Sequence, residues 1–445
     1  MSLSMRRCGG AGVGKVHLVS LGCPKNLVDS EKLLKRLGEK GLEYCSNAED
    51  SDIIMVNTCG FVEDAKRESI EEILRLAASK KGNKRLLVFG CLAQRFGDDL
   101  KKEVPEIDAL WGVGKEDHIA EYCERNMPPS VNPPLAGEGD HGSSSADRFI
   151  DAPYAYLKIA EGCDRNCSYC VIPGIRGRFR SRPPDEILAE AENLIRAGSK
   201  EIIVVAQDVT SYGKDIAAYD LSRLVRDIAS INGDFWVRLL YLYPTSVDDH
   251  LIETIALEEK VCKYIDMPLQ HASSKILKLM GRGGSAGYYE KLIARIRSAV
   301  PDVTIRTTFI VGFPQETEED FRELEAFICK VEFDRLGVFT YSKEEGTPSS
   351  KLKGQVPART KRARYERLMA SQSGISMRKN KRLVGRTFRC IVDEVSDDIT
   401  VARISSQAPE IDGVVFVEDR NAKKGEFVTV EITDAYDYDL KGRTR

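Results

Sequence analysis

The sequence predicts an α/β protein of three parts: a doubly wound parallel-sheet domain, a partial (βα)6 barrel and a small antiparallel β-barrel. Three observations carry that prediction. Short apolar runs alternate with helical periods from residue 15 to about 126 and again from about 150 to 345, the pattern of parallel sheets covered by helices. The second stretch holds six strand-then-helix units in about 195 residues, where a complete eight-unit barrel takes about 250. From 390 to 445 the pattern changes to period-two alternation punctuated by Gly and Asp, the mark of short antiparallel strands. A chain of 445 residues has room for about three such domains.

Each element has its own signal. Residues 1–14 read as a loose leader, and Gly9 with Gly14-Lys15 only approaches a phosphate loop. Val16 stands where Ser or Thr would have to reach magnesium, so that reading is rejected. Val16–Leu21, Asp52–Asn57 and Arg85–Phe89 are predicted strands, with helices over Asp29–Gly38 and Glu63–Ser79. Eleven of the 22 residues at 127–148 are Pro, Gly or Ser, which makes this a linker between a first domain (15–126) and a second (149–370). The barrel strands are expected at Tyr154–Ala160, Glu201–Ala206, Trp236–Tyr243, Lys263–Met267, Val303–Val311 and Leu336–Tyr341. Pro184-Asp185 opens the first crossover helix and Gly198 closes it. A further helix is expected around Arg359–Met369. The third domain, 371–445, places strands at Thr387–Val392, Thr400–Ile404, Val414–Glu418 and Phe427–Ile432.

Composition narrows the function classes. Apolar residues make up 42% and charged residues 30%, enough for sizeable cores and incompatible with whole-chain disorder. The net charge of −3 excludes a polycation built for nonspecific nucleic-acid binding. No run of 18 apolar residues occurs and His17 interrupts the first apolar stretch, so the expectation is a soluble, cytoplasmic protein without membrane contact. Twelve cysteines in such a chain point to metal or redox chemistry before disulfides.

Two cysteine constellations follow. Cys163, Cys167 and Cys170 form C-x3-C-x2-C directly after the first barrel strand. Close-spaced thiolates select zinc, copper(I) or iron–sulfur clusters. A structural zinc wants a fourth local ligand, and no other Cys or His lies nearby; three ligands instead leave one cluster iron open. Barrel chemistry also gathers at the C-terminal ends of strands. Cys23, Cys59 and Cys91 each follow one of the three predicted strands of the first domain, where ligands of a doubly wound sheet bind. One free cysteine is usually a small buried hydrophobe. Three at equivalent places make a second three-thiolate site. Cys8, Cys45, Cys123, Cys262, Cys329 and Cys390 show no pattern and are expected to be structural.

Gln207, Asp208 and Gln270 also fall past strand ends and are candidate cofactor-binding residues. His271 joins them, beside the plainer reading of a hydrogen-bonded core histidine. Gly312 is a place where a cofactor would approach the backbone closely.

Gly162-Cys163 to Tyr169-Cys170, Leu21-Gly22-Cys23-Pro24-Lys25-Asn26, Asn57-Thr58-Cys59-Gly60 and Gly90-Cys91-Leu92-Ala93-Gln94-Arg95 together resemble the radical S-adenosylmethionine methylthiotransferases, from about 15 to 445. The Cys-Pro-Lys-Asn run, Gln207 to Gly213 and Pro268-Leu269-Gln270-His271 are more similar to the ribosomal-protein branch than to the tRNA branch. The resemblance implies two 4Fe-4S clusters. One, on Cys163, Cys167 and Cys170, would chelate S-adenosylmethionine and cleave it to a 5′-deoxyadenosyl radical; the other, on Cys23, Cys59 and Cys91, would supply the methylthio group. It further implies that the acceptor is the β-carbon of an aspartate in ribosomal protein S-twelve of the small subunit, that the electron donor is of flavodoxin type, and that the last domain is a substrate-gripping TRAM barrel. A radical suits such a carbon, which offers no proton that a tuned side chain could take.

Charge separates the substrate classes. Residues 390–445 carry 13 acidic against 7 basic side chains, which favours a basic protein over RNA. Residues 351–389 carry 13 Lys/Arg against Glu366 alone, which keeps an rRNA or tRNA contact in view. A tRNA adenosine methylthiotransferase is therefore the alternative enzyme, and a non-catalytic iron–sulfur carrier or RNA-binding protein the alternative class.

Overall fold

The structure is a computed structural model that describes residues 14–127, 151–396, 399–419 and 422–445. The expected linker, apart from its first residue, lies outside the described residues, as do Cys8 and Gly9. The chain divides into two compact units. Unit 1 runs to Asp151 and takes in Val171–Gly177; unit 2 comprises Ala152–Cys170 and Arg178–Arg445.

Unit 1 contains β1 (Lys15–Ser20), α1 (Pro24–Glu39), β2 (Glu43–Tyr44), β3 (Ile53–Thr58), α2 (Glu63–Ser79), β4 (Arg85–Gly90), α3 (Cys91–Glu103), β5 (Ala109–Trp111), α4 (Glu116–Arg125) and the short α5 (Ile172–Arg176). The strands form one parallel sheet in the order β2-β1-β3-β4-β5. β3 lies at its centre and every residue of Ile53–Thr58 is buried, as expected of a strand covered on both faces. Alternate residues divide between two cores. Val16, Leu18, Ile53, Met55, Leu87 and Phe89 pack with Leu33, Leu37 and Ile119 of α1 and α4. Ile54, Val56, Leu86 and Val88 pack with Ile73, Leu76, Leu92 and Leu100 of α2 and α3. The chain moves outward from β1 to β2 and then crosses back to β3. The switch point therefore lies between β1 and β3, where a doubly wound sheet opens its ligand crevice.

Unit 2 begins with β6 (Tyr154–Lys158), β7 (Ala160–Glu161), β8 (Arg180–Ser181), α6 (Pro184–Arg196), β9 (Glu201–Val205), α7 (Leu221–Ser230), β10 (Trp236–Leu239) and α8 (Asp249–Leu257). It continues through β11 (Tyr264–Asp266), α9 (Ser274–Leu279), α10 (Ala286–Ala299), β12 (Thr304–Val311), α11 (Glu318–Val331), β13 (Arg335–Thr340) and α12 (Ala358–Lys381). All six expected barrel strands are present, as two parallel three-stranded sheets, β10-β9-β6 and β11-β12-β13. A single bridge, Val237 to Val261, links the β10 and β11 regions. β10 stops short of the expected Tyr243 because Tyr241 adopts φ +66°, which breaks the extended backbone. The expected helix at Arg359–Met369 is the middle of the much longer α12.

The last strands are β14 (Thr387–Val395), β15 (Thr400–Ile404), β16 (Val415–Val417), β17 (Phe427–Ala435) and β18 (Leu440–Thr444). They close into a barrel in the order β14-β15-β16-β18-β17, and β16 pairs with β18 in parallel. This corrects the expectation of a purely antiparallel barrel. Directions cannot alternate all the way round a closed ring of five strands, so one neighbouring pair has to run the same way. The connection after β15 is spent on the N-terminal ends of the unit 2 strands. Tyr154 and Tyr156 donate their hydroxyls to Glu410 at 2.8 and 3.3 Å, and Tyr264 donates to Asp412 at 2.7 Å. Arg238 donates to the carbonyls of Ser405 and Gln407 at 2.9 and 3.1 Å.

Candidate metal centres

In unit 1 the three cysteines stand at the C-terminal ends of three adjacent strands. Cys23 follows β1 and is the N-cap of α1, Cys59 follows β3, and Cys91 is the first residue of α3 after β4. Two of the thiols thus sit at helix N-termini, where the backbone favours an anion. The loops are tied together through Asn26, which is buried. Its Nδ2 donates to the carbonyls of Leu21 and Thr58 at 2.9 and 3.1 Å, and the Cys91 thiol donates to its Oδ1 at 3.7 Å. Ser69 of α2 clamps the Cys59 peptide, accepting from its N–H at 3.0 Å and donating to its carbonyl at 3.1 Å. Gly22 has φ +91°, and a Cβ there would meet the Cys59 Cβ at 2.6 Å and Sγ at 2.9 Å, so the loop can pass Cys59 only without a side chain.

The electrostatics of the three thiols differ. Burial pushes Cys23 up, but the cations of Lys25 and Arg176 and nearby backbone amides bring it below the ordinary thiol value. Burial raises Cys59 to about 12. Burial also raises Cys91, with Arg176 opposing it. Among the described residues no three His, Cys, Asp or Glu side chains form a single-ion cage. Three disulfide-free thiols at adjacent strand ends, with glycines beside them, are the soft donor set that an iron–sulfur cluster takes.

In unit 2, Cys163, Cys167 and Cys170 occupy the loop after β7, all half-buried and none of them in a disulfide. Other backbone pins that loop. Ser168 N–H donates to the carbonyl of Met280 at 2.8 Å, its hydroxyl donates to Leu279 at 2.7 Å, and its carbonyl accepts from Ser349 N–H at 2.9 Å. Two guanidiniums flank one ring: Arg165 lies 3.8 Å and Arg282 4.4 Å from the centre of Tyr243. Arg282 donates to the Cys167 sulfur at 3.7 Å and to the Pro268 carbonyl at 2.5 Å, while its buried Nε has no partner. Arg165 is held by Asp208 and by Ser246, both at 2.7 Å.

Against this geometry the comparisons are decisive. A ribosomal protein uS12 methylthiotransferase (RimO) of Thermodesulfovibrio yellowstonii is 51% identical over 427 residues, covering 96% of this chain and 98% of that protein. One from Geobacter sulfurreducens is 47% identical, with 96% and 98% covered. The chain belongs to the ribosomal protein uS12 methylthiotransferase family, RimO. Three family models match along it: the uncharacterized protein family UPF0004 at residues 15–112, the radical SAM superfamily at 157–328 and the TRAM domain at 384–444. Membership of the radical SAM superfamily implies a 4Fe-4S cluster and S-adenosylmethionine. A solved radical S-adenosylmethionine methyltransferase, TsrM from Kitasatospora setae with cobalamin and a 4Fe-4S cluster bound, shares the fold. It is 15% identical with a TM-score of 0.54, over 87% of this chain and 80% of that one.

Within the RimO frame the remaining candidate residues separate. Gln207 and Asp208 adjoin the cysteine loop: Gln207 Nε2 donates to Glu161 at 2.9 Å and leaves its buried Oε1 unpartnered, and Asp208 anchors Arg165. Gln270, at φ +74°, is fixed through its backbone to Thr308 and Ile310 at 2.8 Å and also leaves Oε1 buried and unpartnered. Such orphaned amide oxygens at strand ends suit a polar cofactor. His271 is held by its own neighbours. It is fully buried, its Nδ1 accepts from Ser273 N–H at 3.0 Å, and its Nε2 lies 3.7 Å from Glu316. Glu316 in turn accepts the N–H groups of Gly312 and Phe313 at 2.7 and 3.0 Å. At Gly312, φ is +74° and a Cβ would strike the Lys361 side chain at 2.3 Å. Lys361 thus passes close to the backbone there.

Sequence reading missed Arg165, Arg282, Tyr243, Asn26 and Arg176. Asn26 sits inside the Cys-Pro-Lys-Asn run, and Arg282 is a cation framed by glycines, Gly281 and Gly283-Gly284, at the end of a helix. Neither signal names a partner. Among the described residues no helix is long and apolar enough to cross a membrane.

Proposed function

We propose that this chain adds a methylthio group to the β-carbon of an aspartate of ribosomal protein uS12, with Cys163, Cys167 and Cys170 holding one 4Fe-4S cluster and Cys23, Cys59 and Cys91 a second. The observation that carries this reading is near-full-length identity of about half to ribosomal protein uS12 methylthiotransferases, joined to six cysteines that fall into two separate strand-end sites. When bound, the clusters and S-adenosylmethionine supply one-electron chemistry and the sulfur and methyl groups. The chain's own residues do the placing. Arg282 and Arg165 bring two positive charges to the half-buried unit 2 thiols, stacked on Tyr243 and held by Asp208 and Pro268. Gln207 and Gln270 offer amide oxygens to a bound cofactor. Asn26 and Ser69 fix the unit 1 loops so that their thiols need not be ordered on binding. A domain division at 126, 149 and 371, a flavodoxin-type electron donor and a cytoplasmic setting accompany the proposal.

The test is anaerobic reconstitution followed by mass spectrometry. S-adenosylmethionine, sulfide and reductant are supplied with either a peptide of the uS12 aspartate loop or an isopentenylated tRNA anticodon stem-loop. A methylthio mass gain on the peptide alone is expected. Gain on the RNA alone would overturn the substrate while keeping the chemistry. Replacing Cys163, Cys167 and Cys170 by Ala should abolish 5′-deoxyadenosine; replacing Cys23, Cys59 and Cys91 should preserve it and stop sulfur insertion.

A further inference from the structure

Six residues after Cys170, the chain delivers a buried cation to the cysteine site of unit 1. Residues Val171–Gly177 belong to that unit, and Arg176 is the last residue of α5. Its side chain is 2% exposed and meets Asp29, itself 8% exposed, with both terminal nitrogens 3.1 Å from Oδ2. Arg176 Nη2 also donates to Asn26 Oδ1 at 2.6 Å. That is the acceptor shared with the Cys91 thiol, on the residue whose amide nitrogen ties the Leu21 and Thr58 loops together. A neutral amide with its nitrogen fixed by two carbonyls can present only its oxygen to this corner. A cationic donor fills that role whether or not Cys91 keeps its proton. The guanidinium is also a nearby positive charge for both Cys23 and Cys91.

We infer that Arg176 is a positioning residue of the unit 1 site, which orients Asn26 and sets the reduction potential of the cluster those three cysteines bind. The inference rests on the two-cluster reading above. A positive charge beside a cluster stabilises the reduced form, because reduction adds an electron. Asp29 stands behind the guanidinium and offsets it. Removing the two members of the pair should therefore move the potential in opposite directions, a signature that a purely structural ion pair does not produce.

The experiment uses the full chain carrying Cys163→Ala, Cys167→Ala and Cys170→Ala, so that only the unit 1 cluster contributes, with the midpoint potential read by EPR-monitored titration beside the iron content. Arg176→Gln should lower the potential and Asp29→Asn should raise it. Each single change leaves one charge buried without its partner, so the charge-balanced double variant Arg176→Gln/Asp29→Asn secures the folded state and should titrate close to the parent. Single variants that keep their iron and shift in the same direction, or do not shift, would overturn the role of Arg176. A parent that takes up no iron would overturn the two-cluster reading itself, and this inference with it.

Discussion

Glu201 joins the C-terminal barrel to the rest of unit 2, and its removal should be costly. The carboxylate is 0% exposed; Oε1 accepts from Arg238 Nε at 2.5 Å and Oε2 from Arg403 Nη1 at 2.7 Å. Arg403 belongs to β15 and is also gripped by Asp393, at 2.5 and 2.9 Å. The four side chains are formally neutral as a set. Glu201→Gln leaves one net positive charge among groups with almost no access to water. Breaking a buried pair in this way costs about 3–5 kcal/mol. At about 1.4 kcal/mol per tenfold, the folding constant should fall between about a hundredfold and several thousandfold. Glu201→Gln/Arg238→Met restores neutrality and should cost clearly less than the sum of its single changes.

The reporter is already in place. Trp236 of β10 packs against Phe427 of β17, with ring centres 5.2 Å apart, and the chain has only one other tryptophan, Trp111. In a Trp111→Phe background, fluorescence during urea unfolding reads the junction that Glu201 secures. A midpoint unmoved by Glu201→Gln would refute the buried-charge argument. A Trp236 transition in the parent that precedes the loss of helical signal would refute the idea that barrel and core unfold together.

Two further predictions concern local geometry. Gly22→Ala places a methyl group against Cys59 and strains a backbone at φ +91°; iron in the reconstituted chain should fall from about eight to about four atoms, and full iron content would refute the close-approach argument. Asp320 completes a capping box with Thr317 and also meets Lys275 at 2.6 Å and Ser273 at 2.8 Å. Burial pushes its carboxyl up, but these donors outweigh burial and hold it well below the usual range. Its contribution is therefore present above pH ~4, where the unfolded carboxylate is ionised, and is lost as the pH falls. Asp320→Asn should cost about 1–2 kcal/mol at pH 7, and the gap to the parent in denaturant midpoints should narrow towards pH 3; a gap that widens there would reverse the sign.

The elements most legible in the sequence were those whose signal is periodic or repeated. β3 reads as a strand because it is buried on both faces, and the six barrel strands recur with their helices. The cysteines stand out because three fall in one short motif and three repeat a position relative to a strand. β2 and β5, of two and three residues, are too short to show a period. β18, Leu-Lys-Gly-Arg-Thr, was hidden by its charges, and the parallel β16–β18 pair follows from ring closure, a property of the whole barrel. Asn26, Arg176 and Arg282 escaped for a different reason. An amide or a cation acquires a role from what tertiary folding sets beside it, and its spacing in the sequence carries no trace of that neighbour.

The same distinction decides what the charge counts mean. Of the 13 Lys and Arg at 351–389, seven form ion pairs among the described residues: Arg362, Arg364, Arg367, Arg378, Lys379, Arg386 and Arg389 meet Glu366, Glu316, Glu325, Glu332, Asp334, Asp302 and Asp234. Lys361 is spent on the Tyr341 carbonyl at 2.7 Å. Arg362–Glu366 lies within α12, but the other six pairs and Lys361 form a seam fastening α12 and β14 to the rest of unit 2. The acidic tail is spent in part as well, since Asp393 and Asp412 are half-buried in ion pairs and hydrogen bonds and the exposed Glu410 accepts the Tyr154 hydroxyl, while Glu394, Glu418, Glu426, Asp434 and Asp437 remain exposed. The outward balance of the barrel is thus still acidic, and that of the helix is far less basic than its composition. An RNA-binding surface making 6–10 phosphate contacts loses about 10³–10⁵ in affinity between 50 and 200 mM salt. Fluorescence anisotropy with a labelled anticodon stem-loop should show a much shallower dependence here. A slope of that size, reduced by Arg378→Gln/Lys379→Gln, would mean that these side chains leave Glu332 and Asp334 for phosphate, and the reading of the seam would fall.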